Sequence, residues 1–515
     1  MRRAIMLLAI FTLATPLFAA DDWGPYFERL RVDEALHRLS KKATPSDLAF
    51  VGVDVVPMTA GTPLLRDQTV IVRNGLIERV GPRASTPVPR GVRHVDGHGK
   101  YLFPGLTDAH VHTLNTNGDL LLDLINGVTT IREMDGFPWL LRMRDAARAN
   151  RLLAPTSYVA GQILNGAPMG WYAIVIKTPE QARQIVHEQK AAGYDYIKIH
   201  NFMPLPLYDA IATAAREEHI RLIGHIPHQV SVAHALEMGQ YAFEHFKGFY
   251  LDTNLTMSPE PWLEEIKGAN VWICPTLVTW MASFSVEETK KFIDSPDAQY
   301  VSLRSRRAWP QAVTERDAQA MGTVWQLAQP IFKQLLPVTD RFIAGTDSGG
   351  GYPNSIRGFA LHDEVETFES LGMPTAEALR TVTVNSAIAL GDPAAFGTIE
   401  PGKRADLLLV DHNPLETVRN LRAPRGVMLR GIWLDHVALD GIRNELKTIY
   451  ARAGADTSLD APSPKQVDAL LSGLSALLAD GAILNGHALE VLAGMLKAKG
   501  RDADAERVAS WAKKQ

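Results

Sequence analysis

The chain has 515 residues, enough for about two or three domains, and 46% of them are hydrophobic, which permits a large core. Charged residues make up 21% and the net charge is −4, so the composition argues against a nucleic-acid-binding surface, which needs clustered positive charge. The single cysteine, Cys274, excludes an internal disulfide.

Residues 1–20 have the pattern of a secretory signal peptide. Two early arginines supply positive charge, an apolar stretch runs to Phe18, and Ala19 and Ala20 are small residues suited to cleavage. A membrane anchor is the alternative, but the stretch is short for a bilayer span and holds Pro16 near its end. No cysteine follows the apolar stretch, so the pattern does not indicate a bacterial lipoprotein. An exported protein without disulfides suits a Gram-negative periplasm, and we expect a periplasmic protein without membrane contact after cleavage.

The next segments change from helical to strand-like patterns. Residues 21–46 are predicted to form an amphipathic helical segment, whereas 47–103 alternate apolar and polar residues in short runs. These runs predict strands at Leu48–Val56, Thr69–Val72, Leu76–Val80 and Tyr101–Phe103.

A pair of histidines follows the last of these strands. His110 and His112 are separated by one residue, and on a strand such residues point to the same face. Two imidazoles on one face at a strand end can form half of a metal site. The alternative is two exposed histidines near a turn, and this motif alone does not decide between them.

Further polar residues close short apolar runs over residues 104–396. Helix-like segments at Pro179–Ala192, Leu207–Glu218 and Val232–Met238 lie between the runs. Strand, polar residue, loop and helix in repetition predict an α/β fold, a distorted (β/α)8 TIM barrel with its site at the carboxyl ends of the strands. The polar residues that end the runs are Lys198, His225, His245 and Asp347.

The C-terminal part returns to strands and then to helices. Strand patterns lie at Asp406–Val410 and Val427–Leu434, within residues 397–440. Residues 441–515 are predicted to contain a linker, over Ala453–Pro464, and a helical module with apolar residues at helical spacing. Its role is either a packing module or a surface for a protein partner.

Five spaced phrases of the chain resemble the amidohydrolase superfamily of metal-dependent hydrolases, and within it the prolidase and imidazolonepropionase-related branch. The resemblance covers about residues 47 to 440 and implies that 47–103 and 397–440 form one composite β-sandwich domain. The phrases are Phe-Pro-Gly-Leu-Thr-Asp-Ala-His-Val-His, Asn-Gly-Val-Thr-Thr-Ile-Arg, Gly-Tyr-Asp-Tyr-Ile-Lys-Ile, Ala-Leu-Glu-Met-Gly-Gln-Tyr-Ala-Phe-Glu-His and Ala-Gly-Thr-Asp-Ser-Gly.

The resemblance implies two divalent metal ions, with zinc favoured and manganese or cobalt as alternatives. Lys198 would carry an N6-carboxylate formed with carbon dioxide, because a lysine ammonium has no lone pair to offer a metal. One ion would take His110, His112, Lys198 and Asp347, and the other would take Lys198, His225 and His245. Lys198 could otherwise be a surface or salt-bridging lysine.

Other residues have open roles. Asp347 would also move the proton of the attacking water. Relatives often carry His-x-His where this chain has His225-Ile-Pro-His228, so His228 is a candidate for substrate contact or for tethering a loop. Tyr172 could meet the substrate carbonyl or pack as an aromatic. Arg132 could pair with a substrate carboxylate or with Asp135.

The resemblance thus implies an exported hydrolase that cleaves the amide bond of a dipeptide or N-acyl amino acid with metal-activated water. A cyclic-amide hydrolase similar to imidazolonepropionase is an alternative, although those enzymes do not need the lysine. A non-catalytic metal-dependent binding protein is another. Relatives are often multimeric, so a homo-oligomer is also expected.

Overall fold

The computed structural model describes residues 22–113, 117–170, 172–249, 260–281, 287, 292–306, 315–349, 355–459 and 461–515. The expected signal peptide at 1–20 lies outside these residues. Within these ranges, no helix combines the length and the apolar character needed to cross a bilayer.

The described residues contain seventeen strands. Their bounds, in chain order, are β1 Leu48–Val55, β2 Leu65–Arg73, β3 Leu76–Pro82, β4 Arg93–Asp96, β5 Tyr101–Pro104, β6 Leu106–Val111, β7 Val128–Glu133, β8 Thr156–Val159, β9 Ile163–Asn165, β10 Ala173–Val175, β11 Tyr196–Ile199, β12 Arg221–Gly224, β13 Ala242–Glu244, β14 Trp272–Cys274, β15 Leu407–Val410, β16 Gly426–Leu429 and β17 Ile432–Asp435.

The α-helices of the described residues lie between and after these strands. They are α1 Gly24–Lys42, α2 Gly118–Ile125, α3 Pro138–Arg148, α4 Pro179–Ala191, α5 Leu205–Glu217, α6 Val232–Glu237, α7 Glu260–Gly268, α8 Leu277–Met281, α9 Glu315–Gln334, α10 Phe359–Ser370, α11 Thr375–Thr381, α12 Val384–Leu390, α13 His436–Ala455, α14 Pro464–Ala479, α15 Gly486–Ala498 and α16 Asp502–Lys514.

Eight strands from the two segments that flank the barrel region form one mixed sheet. Its order is β17-β16-β15-β5-β1-β2-β3, and β4 also pairs with β1. β15, from the second segment, pairs antiparallel with β5, from the first, with Leu408 opposite Phe103. The two segments therefore share a sheet, while the domain boundaries and the description as a sandwich stay predictions.

One strand pattern of the second segment corresponds to two strands. Residues 427–434 belong to β16 and β17, which pair antiparallel. Between them Arg430 and Gly431 both have positive φ, 49° and 82°. Positive φ at both central residues is the geometry of the two-residue turns that suit hairpins. The alternation of apolar residues across the turn concealed this break from the sequence.

The other nine strands form two parallel sheets, β6-β7-β8 and β10-β9-β11-β12-β13-β14. Helices α2 to α6 connect successive strands, which gives the repeated strand–helix order predicted from the sequence. The strands are buried along most of their length, with apolar residues such as Ile131, Ile197 and Phe243 at 0–1% exposure. This burial on both faces is typical of parallel sheets covered by helices.

Isolated bridges connect the two parallel sheets without completing regular strand pairing. Ala160, after β8, bridges to Tyr196 at the start of β11. On the other side, the segment 342–348 bridges to Ile273 of β14 and to Val111 of β6. The α/β class is therefore confirmed, whereas regular pairing stops short of a closed barrel.

Local chemistry explains where two helices begin. Pro179 occupies the first turn of α4, and the Thr178 side chain accepts a hydrogen bond from the Gln181 N–H. Ser463 and Gln466 form a reciprocal capping box at α14. Such caps satisfy backbone N–H groups that have no partner within the helix.

The C-terminal helices pack against the N-terminal helix. Trp23 and Leu30 are buried in one apolar cluster with residues of α14, α15 and α16. The close approach is visible at Gly473, where an added Cβ would lie 2.8 Å from the Leu30 side chain. His37 and Asp480 extend the contact, with 2.8 Å between Nε2 and Oδ2. The C-terminal module therefore covers Trp23 and Leu30 at the start of α1, while Val32, Ala35 and Leu36 of the same helix pack in the central core.

Candidate metal centre

Six side chains from different strands converge at the carboxyl ends of the parallel strands. His110 lies in β6 and Lys198 in β11, and both are buried. His112, His225 and His245 each follow the last residue of a strand, and Asp347 lies within the bridging segment 342–348. We call this group the central cluster: His110, His112, Lys198, His225, His245 and Asp347.

The inner half of the central cluster is built around His110. Its Nε2 lies 3.4 Å from Lys198 Nζ and 3.4 Å from Asp347 Oδ1. His112 Nε2 lies 3.1 Å from the same Asp347 oxygen. His110, His245 and Asp347 each place one possible metal-ligand atom within 4.8 Å of those of the other two. This spacing suits side chains that share one small cation.

The outer half is formed by His225 and His245. Their ring centroids are 4.9 Å apart, and the His245 ring lies 4.5 Å from that of His110. The two halves are therefore continuous through His245. All six residues predicted as metal ligands lie together in one buried region.

Three of the histidines have their Nδ1 atoms engaged by a neighbouring side chain. His110 Nδ1 lies 2.7 Å from Glu244 Oε2, and His225 Nδ1 lies 2.6 Å from Asn201 Oδ1. His245 Nδ1 lies 2.6 Å from Thr276 Oγ1. A carboxylate or amide oxygen accepts from Nδ1–H, which puts the lone pair of His110 and of His225 on Nε2. Metal-binding histidines are commonly oriented in this way.

Glu244 links the central cluster to a buried arginine. Arg132 Nη2 donates to Glu244 Oε1 at 2.8 Å, and its Nε donates to the Ala109 carbonyl at 2.5 Å. Arg132 is 1% exposed. The structure thus pairs Arg132 with Glu244, which differs from both alternatives considered for it from the sequence. Its role is to hold the carboxylate that orients His110.

Burial controls the charge of the imidazoles. Burial lowers the pKa of His110 and of His225 well below the ordinary value, and nearby cationic groups lower both further. Burial also lowers the pKa of His245 to about 3, although Asp347 opposes this shift. These imidazoles are therefore neutral at pH 7, the state in which imidazole is a ligand.

Lys198 and Asp347 respond to the same environment in different ways. Burial lowers the pKa of Lys198 to about 8, while Glu244 and Asp347 oppose the shift. Burial alone would raise the pKa of Asp347, but His245, His112 and Lys198 outweigh it, so the net shift is downward. Asp347 is therefore an ionised carboxylate at neutral pH.

Gly224 allows β12 to approach β11 beside Lys198. Its φ is +121°, and an added Cβ would lie 2.3 Å from the Ile199 carbonyl oxygen and 3.1 Å from Lys198 Cδ. Only a glycine fits this backbone without displacing the neighbouring strand. Gly224 therefore determines how closely Lys198 on β11 and His225 after β12 can approach each other.

Replacing Gly224 by alanine is expected to destabilise the protein by more than about 3 kcal/mol, because the methyl group meets a backbone carbonyl and φ is strained. Urea unfolding followed by circular dichroism measures the loss. Gly239→Ala is the matched control, since Gly239 also has positive φ, 77°, but has nothing within 4 Å of the added Cβ. That variant should lose only about 1–2 kcal/mol. Equal losses in both would refute the steric explanation.

The two remaining sequence candidates, His228 and Tyr172, lie in loops. His228 is exposed, its N–H donates to the Asn201 carbonyl at 3.0 Å, and its ring stacks on Phe202 at 5.2 Å. Tyr172 lies between β9 and β10, and burial followed by the charge of Asp135 raises its pKa. Catalytic roles for His228 and Tyr172 stay predictions.

Sequence analysis missed two residues next to the central cluster, Lys247 and Trp280. Both are buried, and Lys247 Nζ lies 5.4 Å from the centre of the Trp280 ring. The Trp280 ring meets His245 edge to face at 6.1 Å. Burial lowers the pKa of Lys247 to about 7. The spacing of Lys247, two residues after His245, could have indicated its position near the cluster, but a single lysine in a loop is not a distinctive pattern.

Known proteins resemble this chain in sequence and in fold. The profile described as Amidohydrolase family matches residues 330–434. A structure of a candidate prolidase from Bifidobacterium longum is 25% identical, covers 78% of this chain and 99% of its own, and superposes with a TM-score of 0.62. These matches support the amidohydrolase superfamily, and its prolidase-related branch, as the family that this chain resembles.

Two further matches cover most of this chain. Bottromycin amidohydrolase is 25% identical, with a TM-score of 0.66, and the match covers 83% of this chain and 96% of that chain. Ochratoxinase from Aspergillus niger is 22% identical over 437 residues, which cover 71% of this chain and 82% of the relative. Coverage is uneven among curated relatives, since this chain spans 16% of the length of a matching deaminase.

Proposed function

We propose that this amidohydrolase cleaves the amide bond of a dipeptide or an N-acyl amino acid with water activated at two divalent metal ions. The observation that carries the proposal is the central cluster, with the Nδ1 atoms of three of its histidines engaged by Glu244, Asn201 and Thr276. Members of the family hydrolyse C–N bonds, and the prolidase-like and amidohydrolase neighbours favour an amide substrate.

The donor set fits a pair of divalent ions. Neutral imidazoles and carboxylates are ligands for zinc, and zinc is the ion we propose. His110, His112 and Asp347 would hold one ion, and His225 and His245 would hold the other. Lys198, carboxylated on Nζ by carbon dioxide with loss of a proton, would contribute one oxygen to each. A buried amine 3.4 Å from His110 Nε2 is well placed for this role.

When bound, the ions would polarise the scissile carbonyl and acidify the attacking water. Asp347, an ionised carboxylate at neutral pH, accepts the proton of that water. The water oxygen adds to the carbonyl carbon, the C–N bond breaks, and Asp347 returns the proton to the departing nitrogen. Glu244 and Arg132 keep His110 in position, and His228 and Tyr172 contact the substrate at the mouth of the site.

Two wider proposals accompany this mechanism. The isolated bridges at both ends of the parallel sheets support treating them as one distorted (β/α)8 barrel, whose strand ends form the active site. The pattern of residues 1–20 supports export, and we propose the periplasm as the place where the enzyme acts.

Metal removal tests the proposed function directly. The protein is treated with a chelator, desalted, and assayed against N-acyl amino acids and Xaa-Pro, Xaa-Arg and Xaa-hydrophobic dipeptides, before and after zinc, manganese or cobalt is restored. We expect the metal-free protein to lose nearly all activity and the restored protein to regain it, because no side chain of the central cluster replaces the lost carbonyl polarisation.

Each other outcome contradicts a stated part of the proposal. Full activity without metal would remove the metal mechanism. Metal-dependent binding of these compounds without turnover would indicate a binding protein, and turnover of cyclic amides alone would indicate the imidazolonepropionase-like alternative.

A further inference from the structure

The junction of α14 and α15 in the C-terminal module (α14 to α16) lies against two connections that leave the carboxyl ends of parallel strands. After β6, the Asn117 side-chain amide donates to the Ile483 carbonyl at 3.4 Å. After β7, Phe137 stacks on His487, with 6.4 Å between the ring centroids. The connection from β6 to α2 begins with His112 of the central cluster, so the module contacts a part of the chain that carries a proposed metal ligand.

Asn117 contacts α1 instead of capping its own helix. It is the N-cap residue of α2, a position where asparagine is among the most stabilising residues, yet its side chain makes no hydrogen bond to the described N–H groups of that helix. Its Nδ2 donates to Asp33 Oδ1 of α1 at 2.7 Å, and the two residues are only 2% and 8% exposed. The Asn117 amide therefore ties the start of α2 to α1 and to the module.

Asp33 is a costly residue to bury at this contact. Burial raises the pKa of Asp33 to about 7, and the hydrogen bond from Asn117 opposes that shift. Replacing both partners of a buried hydrogen bond by apolar groups of the same shape is often neutral or stabilising, so stability alone does not explain the pair. A hydrogen bond is directional, however, and this one fixes where the start of α2 lies relative to α1.

The orientation of His112 depends on the backbone around it. The other three histidines of the central cluster each have Nδ1 engaged by a neighbouring side chain, whereas none of the described side chains is hydrogen-bonded to His112 Nδ1. The His112 N–H donates to the Ser348 carbonyl at 2.8 Å, and the Thr113 N–H donates to Glu133 Oε2 at 2.8 Å. These bonds hold the start of the connection from β6 to α2, and Asn117 holds its end.

We propose that Asn117, held by Asp33 and by the C-terminal module, is a positioning residue for His112 and so for one of the two metal ions. The inference rests on the metal centre of the proposed function. Asn117 contacts neither metal nor substrate in this role, because it acts through the backbone that joins it to His112. The affected ion is the one that His112 would hold with His110, since the other ion has no proposed ligand on this connection.

The test measures the affinity of each zinc ion by competition with a chromophoric chelator. Asn117→Ala should bind one of two zinc ions about 10-fold more weakly than the wild type, the low end of the range for losing an outer partner of a ligand, and bind the other ion unchanged. Asp33→Ala should show the same loss, and it decides the question if Asn117→Ala fails to fold. Asp33→Asn should keep the wild-type affinities, because its amide oxygen can still accept from Asn117.

His37→Ala is the matched control for these variants. It removes the 2.8 Å contact between His37 and Asp480, which joins α1 to the same module one helical turn beyond Asp33, and it should leave both zinc affinities unchanged. Urea unfolding of each variant reports any general loss of stability. Wild-type affinity for both ions in Asn117→Ala, equal weakening of both ions, or the same change in His37→Ala would overturn the inference.

The zinc affinities and the turnover of amides are separate measurements. A wild type that binds two zinc ions but hydrolyses no amide would remove the proposed function, and the affinities of the variants would still decide the role of Asn117. A wild type that binds no zinc would overturn both proposals.

Discussion

Lys198→Ala is expected to lose most of its bound metal and at least about a hundredfold in kcat/KM, equivalent to about 2.7 kcal/mol of transition-state stabilisation. Lys198 is the residue that we propose to serve both metal ions, and its Nζ lies 3.4 Å from His110 Nε2. Alanine leaves no atom in that position. Elemental analysis after desalting measures the metal, and steady-state kinetics on the best amide substrate measures the activity.

Lys190→Ala is the matched control for this variant. Lys190 lies in α4, the helix that precedes β11, and its side chain is exposed, so its removal should leave metal content and activity unchanged. If Lys198→Ala retained two equivalents of metal and wild-type turnover, Lys198 would have no bridging role. Loss of metal from both variants would point to a general effect of lysine removal in this region.

Asp347→Asn is expected to lower kcat by about 10²- to 10⁴-fold, the range typical of a lost general acid–base group. Asparagine keeps the shape of the side chain and an oxygen that can remain near His112 Nε2, which lies 3.1 Å from Asp347 Oδ1. It cannot accept the proton of the attacking water. The effect should therefore fall on kcat more than on KM, measured at saturating metal.

Asp340→Asn gives the comparison for Asp347. Asp340 precedes the same segment of chain, its side chain is 69% exposed, and it is remote from the proposed chemistry. Its kinetics should match those of the wild type. A kcat for Asp347→Asn within about threefold of the wild type, with full metal content, would assign the proton transfer to another group.

The ligands of the proposed metal centre could be found from the sequence because each one ends a short apolar run. A residue at the carboxyl end of a parallel strand faces the same opening as its neighbours, so order along the chain was enough to bring His110, Lys198, His225 and Asp347 together. The positions of β11 and β12 could be predicted in the same way, because each is a short run rich in apolar residues that are buried in the structure.

The residues that orient these ligands could not be found in this way. Glu244 reaches His110 across 134 positions of the chain, and Asn201 and Thr276 each contact a histidine on a neighbouring strand. Such contacts depend on strand register and on backbone turns at His245 and Thr276, where φ is 61° and 49°. The spacing of hydrophobic residues predicts neither the strand register nor a positive φ at a non-glycine residue.

The contact between α1 and the C-terminal helices has a consequence for the order in which the protein folds. His37 and Asp480, which meet across that contact, are 443 positions apart. At roughly 5–20 residues per second of synthesis, about 20–90 seconds separate the appearance of the two partners. During that interval Trp23 and Leu30 lack the apolar residues that pack against them in the folded protein, whereas Val32, Ala35 and Leu36 of α1 belong to the central core. The start of the earliest helix therefore stays uncovered until the last helices of the chain are made.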